Sequence, residues 1–267
     1  MITVKTEKAG FILNPTIFPD KTSQVWKLPE EILSSKEFLI TWNFEEEREI
    51  MDLYSLCSLL PPFSRVLLHM PYLPYGRKDK VTSNDATFNL YPFSDLINNL
   101  GFDQVTTVDA HNPAKFERIF RQSRNMMPYH AQLKAVEAFR PTFFVFPDKG
   151  AMERYHTSFT MMLKPDSCIY FEKVRDQLTG NITGLTMQAN KLFYSRDRLL
   201  IIDDICDGGA TFIGVAKELR KLVPDVEIAL FVTHGIFSRG RQHLLDNGID
   251  EIYTTNSLLA NKDGFEV

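Results

Sequence analysis

The densest group of residues with ligand-binding chemistry begins at Asp203 and Asp204, directly after the apolar segment 199–202. Carboxylates bind sugar hydroxyls either by accepting hydrogen bonds from them or through a magnesium ion that both groups coordinate. The small residues at 208–210 let the main chain approach a ligand closely, and N–H groups at the start of a predicted helix suit a phosphate. These features predict a site for a ribose 5-phosphate group. The predicted site residues are Asp203, Asp204, Asp207, Gly208, Gly209, Ala210 and Thr211.

A simpler interpretation of the same stretch is open. Asp-Gly-Gly is common in ordinary turns, and paired aspartates can merely end a strand. Two adjacent carboxylates nevertheless repel each other after an apolar strand unless a cation or hydroxyl ligands relieve the repulsion. The loop also has no lysine, which separates it from Walker-type phosphate loops. We favour the ligand-binding interpretation.

Short apolar segments alternate with segments of helical periodicity along the chain. The predicted strands are residues 37–41, 65–68, 104–108, 142–146, 198–202 and 227–232, and the predicted helices include 50–60, 91–100 and 212–222. Strands that are apolar on both faces are typical of parallel sheets covered by helices, so both halves are predicted to be α/β, each with a mainly parallel sheet. Ligands of such sheets bind at the carboxyl ends of the strands.

The helix at 212–222 should follow the phosphate loop directly. One apolar stripe runs along it, made of Phe212, Val215, Ala216, Leu219 and Leu222. Thr211 is a plausible N-cap and Pro224 stops the helix just beyond its end. We therefore expect the stripe to pack on the second sheet.

Charged side chains near the ends of other strands are further candidates for the site. They are Arg77 and Lys78, His111, Asp148, and the pair Lys173 and Arg175. Each has an ordinary alternative, because a basic loop or a hairpin charge pair is usually solvated and a lone histidine is more often structural than a ligand.

Length and composition limit the class of protein. The 267 residues suit two α/β domains, with a predicted boundary near Arg140 that gives 1–140 and 141–267. The net charge of -4 leaves no basic excess for a nucleic acid or an anionic membrane. Three cysteines without metal-ligand spacing fit a reducing compartment, and no apolar segment resembles a signal peptide or membrane span. We expect a cytoplasmic protein without a membrane anchor.

Several motifs resemble those of one enzyme family. The stretch 203–211 looks like the phosphoribosyl diphosphate loop of type I phosphoribosyltransferases and of ribose-phosphate diphosphokinases. The diphosphokinase segments PYxPYxRxD, DLH, SPDxGG, K-x-R, THGxFS and TNS are resembled by residues 71–79, 109–111, 146–151, 173–175, 233–238 and 254–257. The transferases do not share the last two. Since the motif order is the same from about Phe18 to Ser257, the chain is identified as a short, divergent member of the ribose-phosphate diphosphokinases, also called phosphoribosyl diphosphate synthetases.

This resemblance implies a fold, a reaction and residue roles. Two phosphoribosyltransferase-type (Rossmann-like) domains would bind ATP in the first and ribose phosphate in the second. The enzyme would transfer the diphosphoryl group of ATP to the 1-hydroxyl of ribose 5-phosphate with Mg²⁺ as cofactor, releasing AMP, in nucleotide biosynthesis and as a homo-oligomer. Lys173 and Arg175 would be catalytic, and His111 and Asp148 would hold the metal. The ATP-binding residues would be Phe18, Asp20, Arg77, Lys78 and His111.

Departures from the family pattern leave alternatives open. The segment at Phe18 lacks the usual Gly-Glu, Lys78 replaces a common Gln, and Ala210 replaces a usual Gly. The acceptor could instead be a 5-substituted ribose such as ADP-ribose, with the product feeding NAD synthesis. A base phosphoribosyltransferase or a catalytically silent regulatory relative would fit the chain less well, because Lys173 and Arg175 are retained.

Overall fold

The chain forms two compact α/β units, residues 1–127 with 257–258, and residues 128–256. The computed structural model describes residues 1–77, 87–160, 168–175, 182–189 and 191–258. Residues 156, 159–160, 173–175 and 182–183 are described by their main chain alone. The units divide ahead of a helix whose last residue, Phe139, packs its ring 6.5 Å from that of Tyr253 in the second unit.

The first unit is built on a six-stranded sheet. The strands of this unit, which include two outside the sheet, are β1 (Ile2–Lys5), β2 (Gly10–Ile12), β3 (Thr16–Ile17), β4 (Ser23–Gln24), β5 (Glu37–Trp42), β6 (Arg65–Met70), β7 (Gln104–Val108) and β8 (Ser123–Met126). Its helices are α1 (Glu30–Leu33), α2 (Glu49–Leu59), α3 (Leu90–Asn99) and α4 (Pro113–Ile119). The sheet order is β2-β1-β5-β6-β7-β8, with β5 to β8 parallel and β1 antiparallel to both neighbours. Strands β3 and β4 form a separate hairpin.

The second unit has a sheet of similar design. Its elements are α5 (Tyr129–Phe139), β9 (Phe143–Phe146), α6 (Lys149–Thr160), β10 (Cys168–Arg175), β11 (Ile182–Ala189), β12 (Arg198–Cys206), α7 (Ala210–Leu222), β13 (Glu227–Gly235), α8 (Arg241–Leu245) and β14 (Glu251–Thr254). The order is β11-β10-β9-β12-β13-β14, and only the edge strand β11 runs antiparallel to its neighbour. The predicted fold class is confirmed in both units.

Helix α7 shows where local patterns succeed and where they fail. Four of the five stripe residues are buried, as predicted, but Leu222 is 60% exposed and borders a surface cavity beside Tyr194. Thr211 is not the N-cap, since Gly209 holds that position with φ of +80°. Only glycine adopts such a φ without strain, so the chain turns into the helix two residues earlier than predicted.

No helix within the described ranges is long and apolar enough to cross a lipid bilayer.

Candidate active site

The carboxylate pair lies inside β12, because the strand continues beyond the predicted end at residue 202. Asp203 is in register with Val232 of β13, and Ile205 with His234. Main-chain pairing with a long neighbouring strand does not depend on side-chain polarity, which explains why the apolar pattern ended too early. Asp203 and Asp204 therefore have rigid main chains near the carboxyl end of the sheet.

Asp204 is 5% exposed and its Oδ2 lies 3.6 Å from Nη1 of Arg154 on α6. Burial, and then the Asp204 carboxylate beside it, raise the pKa of Asp203 well above the usual range of an aspartic acid. The Asp204 main-chain N–H donates to Asp203 Oδ1 at 2.9 Å, which opposes this rise. The two neighbours thus differ, since Asp204 lies beside a guanidinium whereas Asp203 is destabilised in its charged form by burial and by nearby carboxylates.

Asp148 adds to that negative charge from the neighbouring strand. It follows β9, which pairs with β12, and it contributes to the raised pKa of Asp203. Asp148 Oδ1 accepts a hydrogen bond of 2.9 Å from the N–H of Ala151, so it also caps the start of α6. Three carboxylates, two of which are predicted ribose ligands and one a predicted metal ligand, thus gather in the second unit.

The loop between β12 and α7 has a geometry that requires glycine at position 209. Gly209 has φ of +80°, and a β-carbon there would lie 2.5 Å from Cδ2 of Leu244. A β-carbon on Gly208 would lie 3.6 Å from Nε of Arg239, so an arginine borders the loop. Ala210 begins α7 and Thr211 is exposed in its first turn. The first N–H groups of this 13-residue helix supply a positive dipole end beside the loop.

The segment at 233–238 is packed against this loop. The carbonyl of Cys206 accepts hydrogen bonds from the N–H groups of Ile236 at 2.8 Å and Phe237 at 3.1 Å. A β-carbon on Gly235 would lie 2.1 Å from the Phe237 ring, which is buried. The glycine and the aromatic residue of this segment therefore fix the end of β12, from which the loop departs.

Lys173 and Arg175 lie on β10, opposite Leu185 and Ile182 of β11. Their side chains are outside the described part of the chain. Strand β11 begins at Ile182, and residues 176–181 lie outside the described ranges. The main chain of Lys173 and Arg175 therefore belongs to an antiparallel strand pair.

His111 lies in the first unit, in the turn from β7 to α4, and is exposed. The turn is fixed by buried Asp109, whose φ is +49° and whose N–H donates to the Met126 carbonyl at 2.8 Å. The N–H of Ala110 donates to Asn125 Oδ1, also at 2.8 Å. Sequence patterns did not indicate Asn125, although it orders the backbone that carries His111.

Arg77 is exposed at the end of a segment held to the first unit by Tyr75. The Tyr75 hydroxyl donates to Glu47 Oε1 at 2.7 Å, and its ring lies 5.2 Å from that of Phe93. Burial and this hydrogen bond raise the pKa of Tyr75 to about 12. Lys78 lies outside the described residues.

Phe18 and Asp20 form the tip of the β3–β4 hairpin. Phe18 is 40% exposed, and its main-chain N–H donates to the Thr22 carbonyl at 2.9 Å. Asp20 Oδ1 accepts from the Thr22 hydroxyl at 2.7 Å and its N–H at 3.0 Å, and these bonds lower the pKa of Asp20. Asp20 is therefore used to close the turn.

Two arginines near the site were missed from the sequence. Arg154 follows Asp148 by six residues on α6, and Arg239 follows the segment 233–238 directly. Helical side chains lean toward the helix N-terminus, so a cation in the second turn after a strand end was a usable signal for Arg154. No local pattern links Arg239 with Gly208.

Known proteins similar to this chain include several ribose-phosphate pyrophosphokinases. No family model matches the chain. The chain is 28% identical over 197 residues to a ribose-phosphate pyrophosphokinase of Pyrococcus abyssi, covering 73% of this chain and 66% of that protein. It is 23% identical over 248 residues to that of Sulfurisphaera tokodaii, covering 91% and 83%. The match to the first relative thus spans about two thirds of that protein's length.

The solved structure of phosphoribosylpyrophosphate synthetase from Mycobacterium smegmatis matches with a TM-score of 0.77 at 18% identity, over 96% of this chain and 84% of that one. At this identity the match concerns the fold, and it spans both units.

Proposed function

Because this chain belongs to the ribose-phosphate pyrophosphokinase family as a divergent member, we propose that it transfers the diphosphoryl group of ATP to the 1-hydroxyl of ribose 5-phosphate. The products are the 1-diphosphate and AMP. The observation that carries the proposal is the arrangement in the second unit, where two aspartates of β12 are followed by a glycine loop that opens α7. A sugar phosphate requires both halves of this arrangement, since its hydroxyls need acceptors and its phosphate needs donors.

The acceptor is held by β12 and the loop after it. Asp203 and Asp204 accept hydrogen bonds from the ribose hydroxyls, and their crowded charge favours ligands that donate protons or carry positive charge. The 5-phosphate lies against the main chain of 207–211, where the glycines let it approach. The sugar is thereby oriented with its 1-hydroxyl ready to attack.

The donor nucleotide is assigned to Arg77, Lys78 and His111, with Phe18 and Asp20 near adenine. The 1-hydroxyl oxygen attacks the β-phosphorus, and the bond from that phosphorus to the oxygen of AMP breaks. Lys173 and Arg175 neutralise charge on the transferring group, a role that in phosphoryl-transfer enzymes contributes about 10³ to 10⁵ in rate.

A bound magnesium ion would find carboxylate donors in the second unit. Asp148 lies just after β9 and Asp203 lies on the neighbouring β12, and carboxylate oxygens are ligands that Mg²⁺ prefers. Bound magnesium would neutralise phosphate charge. Asp148 is the proposed metal ligand of the second unit, and His111 is the proposed ligand for the magnesium ion that accompanies ATP.

The decisive measurement is AMP release from ATP and Mg²⁺ with each of two acceptors, ribose 5-phosphate and ADP-ribose. We expect release with ribose 5-phosphate, and its absence with that acceptor rejects the proposal. Exposed Arg239 beside Gly208 favours including ADP-ribose, because it offers a cation to a second phosphate beyond the loop. Release with ADP-ribose alone would establish the 5-substituted acceptor.

The catalytic assignment has its own test. Lys173→Ala should abolish AMP release while ATP binding, measured by calorimetry, is retained. Arg196→Ala, which removes an exposed cation between β11 and β12, is the control and should release AMP at the wild-type rate. An unchanged rate in Lys173→Ala removes the catalytic role.

A further inference from the structure

Arg154 is a nearly buried cation beside the carboxylate pair, with a role beyond those assigned above. Its side chain is 15% exposed and that of Asp204 is 7% exposed, and Nη1 of the arginine lies 3.6 Å from Oδ2 of the aspartate. Arginines are rarely buried to this extent without a partner. This ion pair joins α6 to β12 across fifty residues of chain.

The direction of the side chain follows from the helix. Helix α6 begins at Lys149, just after the carboxyl end of β9, so Arg154 lies in its second turn. Because helical side chains lean toward the N-terminus, the arginine reaches back toward the strand ends. Its guanidinium is a planar, permanently charged group that suits a carboxylate partner.

This contact has a chemical consequence for Asp204. The adjacent carboxylate of Asp203 repels that of Asp204, whereas an acceptor for a sugar hydroxyl must be held in one orientation. The guanidinium offsets that repulsion for Asp204, and it restricts the rotation of the side chain.

We propose that Arg154 is a positioning residue that holds the Asp204 carboxylate in a fixed orientation as an acceptor for the ribose hydroxyls. The inference rests on the proposed function, since it deepens the assignment of the same site. Arg154 acts through Asp204 and does not itself bind the sugar.

A double-mutant cycle tests this role. Arg154→Met, Asp204→Asn and the double variant are compared in full-length protein by the KM for ribose 5-phosphate, the KM for ATP and kcat. We expect Arg154→Met to raise the KM for the acceptor about 10- to 100-fold while the KM for ATP stays unchanged. The double variant should match Asp204→Asn alone, because the arginine has then lost the group through which it acts.

Conservative and control variants separate positioning from general effects. Arg154→Lys keeps the charge and should restore much of the acceptor affinity. Lys217→Met removes an exposed positive charge from α7 and should leave every constant unchanged. If Arg154→Met does not fold, Arg154→Gln takes its place in the cycle.

Each result decides between the two proposals. An unchanged KM in Arg154→Met, additive effects in the double variant, or no rescue by lysine overturns the positioning role while leaving the proposed function intact. Failure of both uncharged variants to fold also overturns it, since Arg154 would then be needed for the structure alone. A wild-type protein that releases no AMP with ribose 5-phosphate rejects the proposed function first.

Discussion

Asp203 and Asp204 are neighbours on one strand with different electrostatic surroundings. Asp204 lies beside the guanidinium of Arg154, whereas burial and the adjoining carboxylates raise the pKa of Asp203. Such an arrangement is costly for the folded protein and is typical of sites where a ligand or ion completes the charge balance. Removing the charge of Asp203 should therefore change the stability of the folded protein.

Asp203→Asn should stabilise the protein at neutral and higher pH. The pKa of Asp203 in the folded protein lies above the unfolded value of about 3.9. Between these two pKa values the folded state binds more protons than the unfolded state, so the protein loses stability as the pH rises through this range. Asparagine removes this loss. We expect the melting temperature of the variant to exceed that of the wild type at about pH 8, with a smaller gap at about pH 4. A gap that is equal at both values contradicts the assignment.

Arg239→Ala should weaken binding of the acceptor without affecting the fold. The side chain is exposed and borders Gly208, so its removal leaves no cavity but withdraws a positive charge from the phosphate loop. A hydrogen bond to a charged group contributes about 1.5–3 kcal/mol, so the KM for ribose 5-phosphate should rise roughly 10-fold or more. Lys217→Ala is the matched control, and equal KM values for the two variants would exclude Arg239 from the site.

At the scale of elements, the β12–α7 loop and the segment 233–238 pack together and depend on each other. Gly209 must be glycine for two reasons, its φ of +80° and the 2.5 Å approach of Leu244 to any β-carbon there. The Cys206 carbonyl ties the end of β12 to Ile236 and Phe237. The loop is therefore shaped by α8 and by the segment after β13, in addition to its own residues.

Gly209→Ala should destabilise the protein more than Gly101→Ala. Gly101, just after α3, has a similar φ of +71° with nothing within 4 Å of an added β-carbon, so Gly101→Ala reports the cost of the positive φ alone, roughly 1–2 kcal/mol. Urea unfolding should show a larger loss of unfolding free energy for Gly209→Ala. In a Leu244→Ala background, the further loss caused by Gly209→Ala should be smaller, because the side chain that meets the added β-carbon has been shortened. Equal losses of unfolding free energy in the two glycine variants would mean that the Leu244 contact does not contribute to the destabilisation.

At the scale of the whole molecule, the first unit exposes several large apolar side chains. Ile17 and Trp26 beside the β3–β4 hairpin are 58% and 50% exposed, and Met51 and Tyr54 on α2 are 60% and 53% exposed. The Ser23 hydroxyl donates to Asp52, which brings the hairpin to α2. Concentrated apolar exposure of this kind commonly marks a protein interface.

We expect a homo-oligomer that uses this apolar surface. Light scattering should give a mass that is a multiple of 30.8 kDa, and Trp26→Glu should shift it toward the monomer. Leu222→Glu, which places the same charge on an exposed leucine of the second unit, is the control. A wild-type monomer would contradict the expectation.

The sequence by itself determined the fold class and much of the element pattern, because periodicity and turn residues act over a few neighbours. The bounds of β7 match its predicted segment, and α7 ends before Pro224 as expected. Only the tertiary structure decided the reach of β12, which depends on pairing with β13, and the true N-cap at Gly209. It also supplied the partners of the site, Arg154 for Asp204 and Arg239 for Gly208, since contacts between residues about thirty to fifty positions apart leave no periodic trace along the chain.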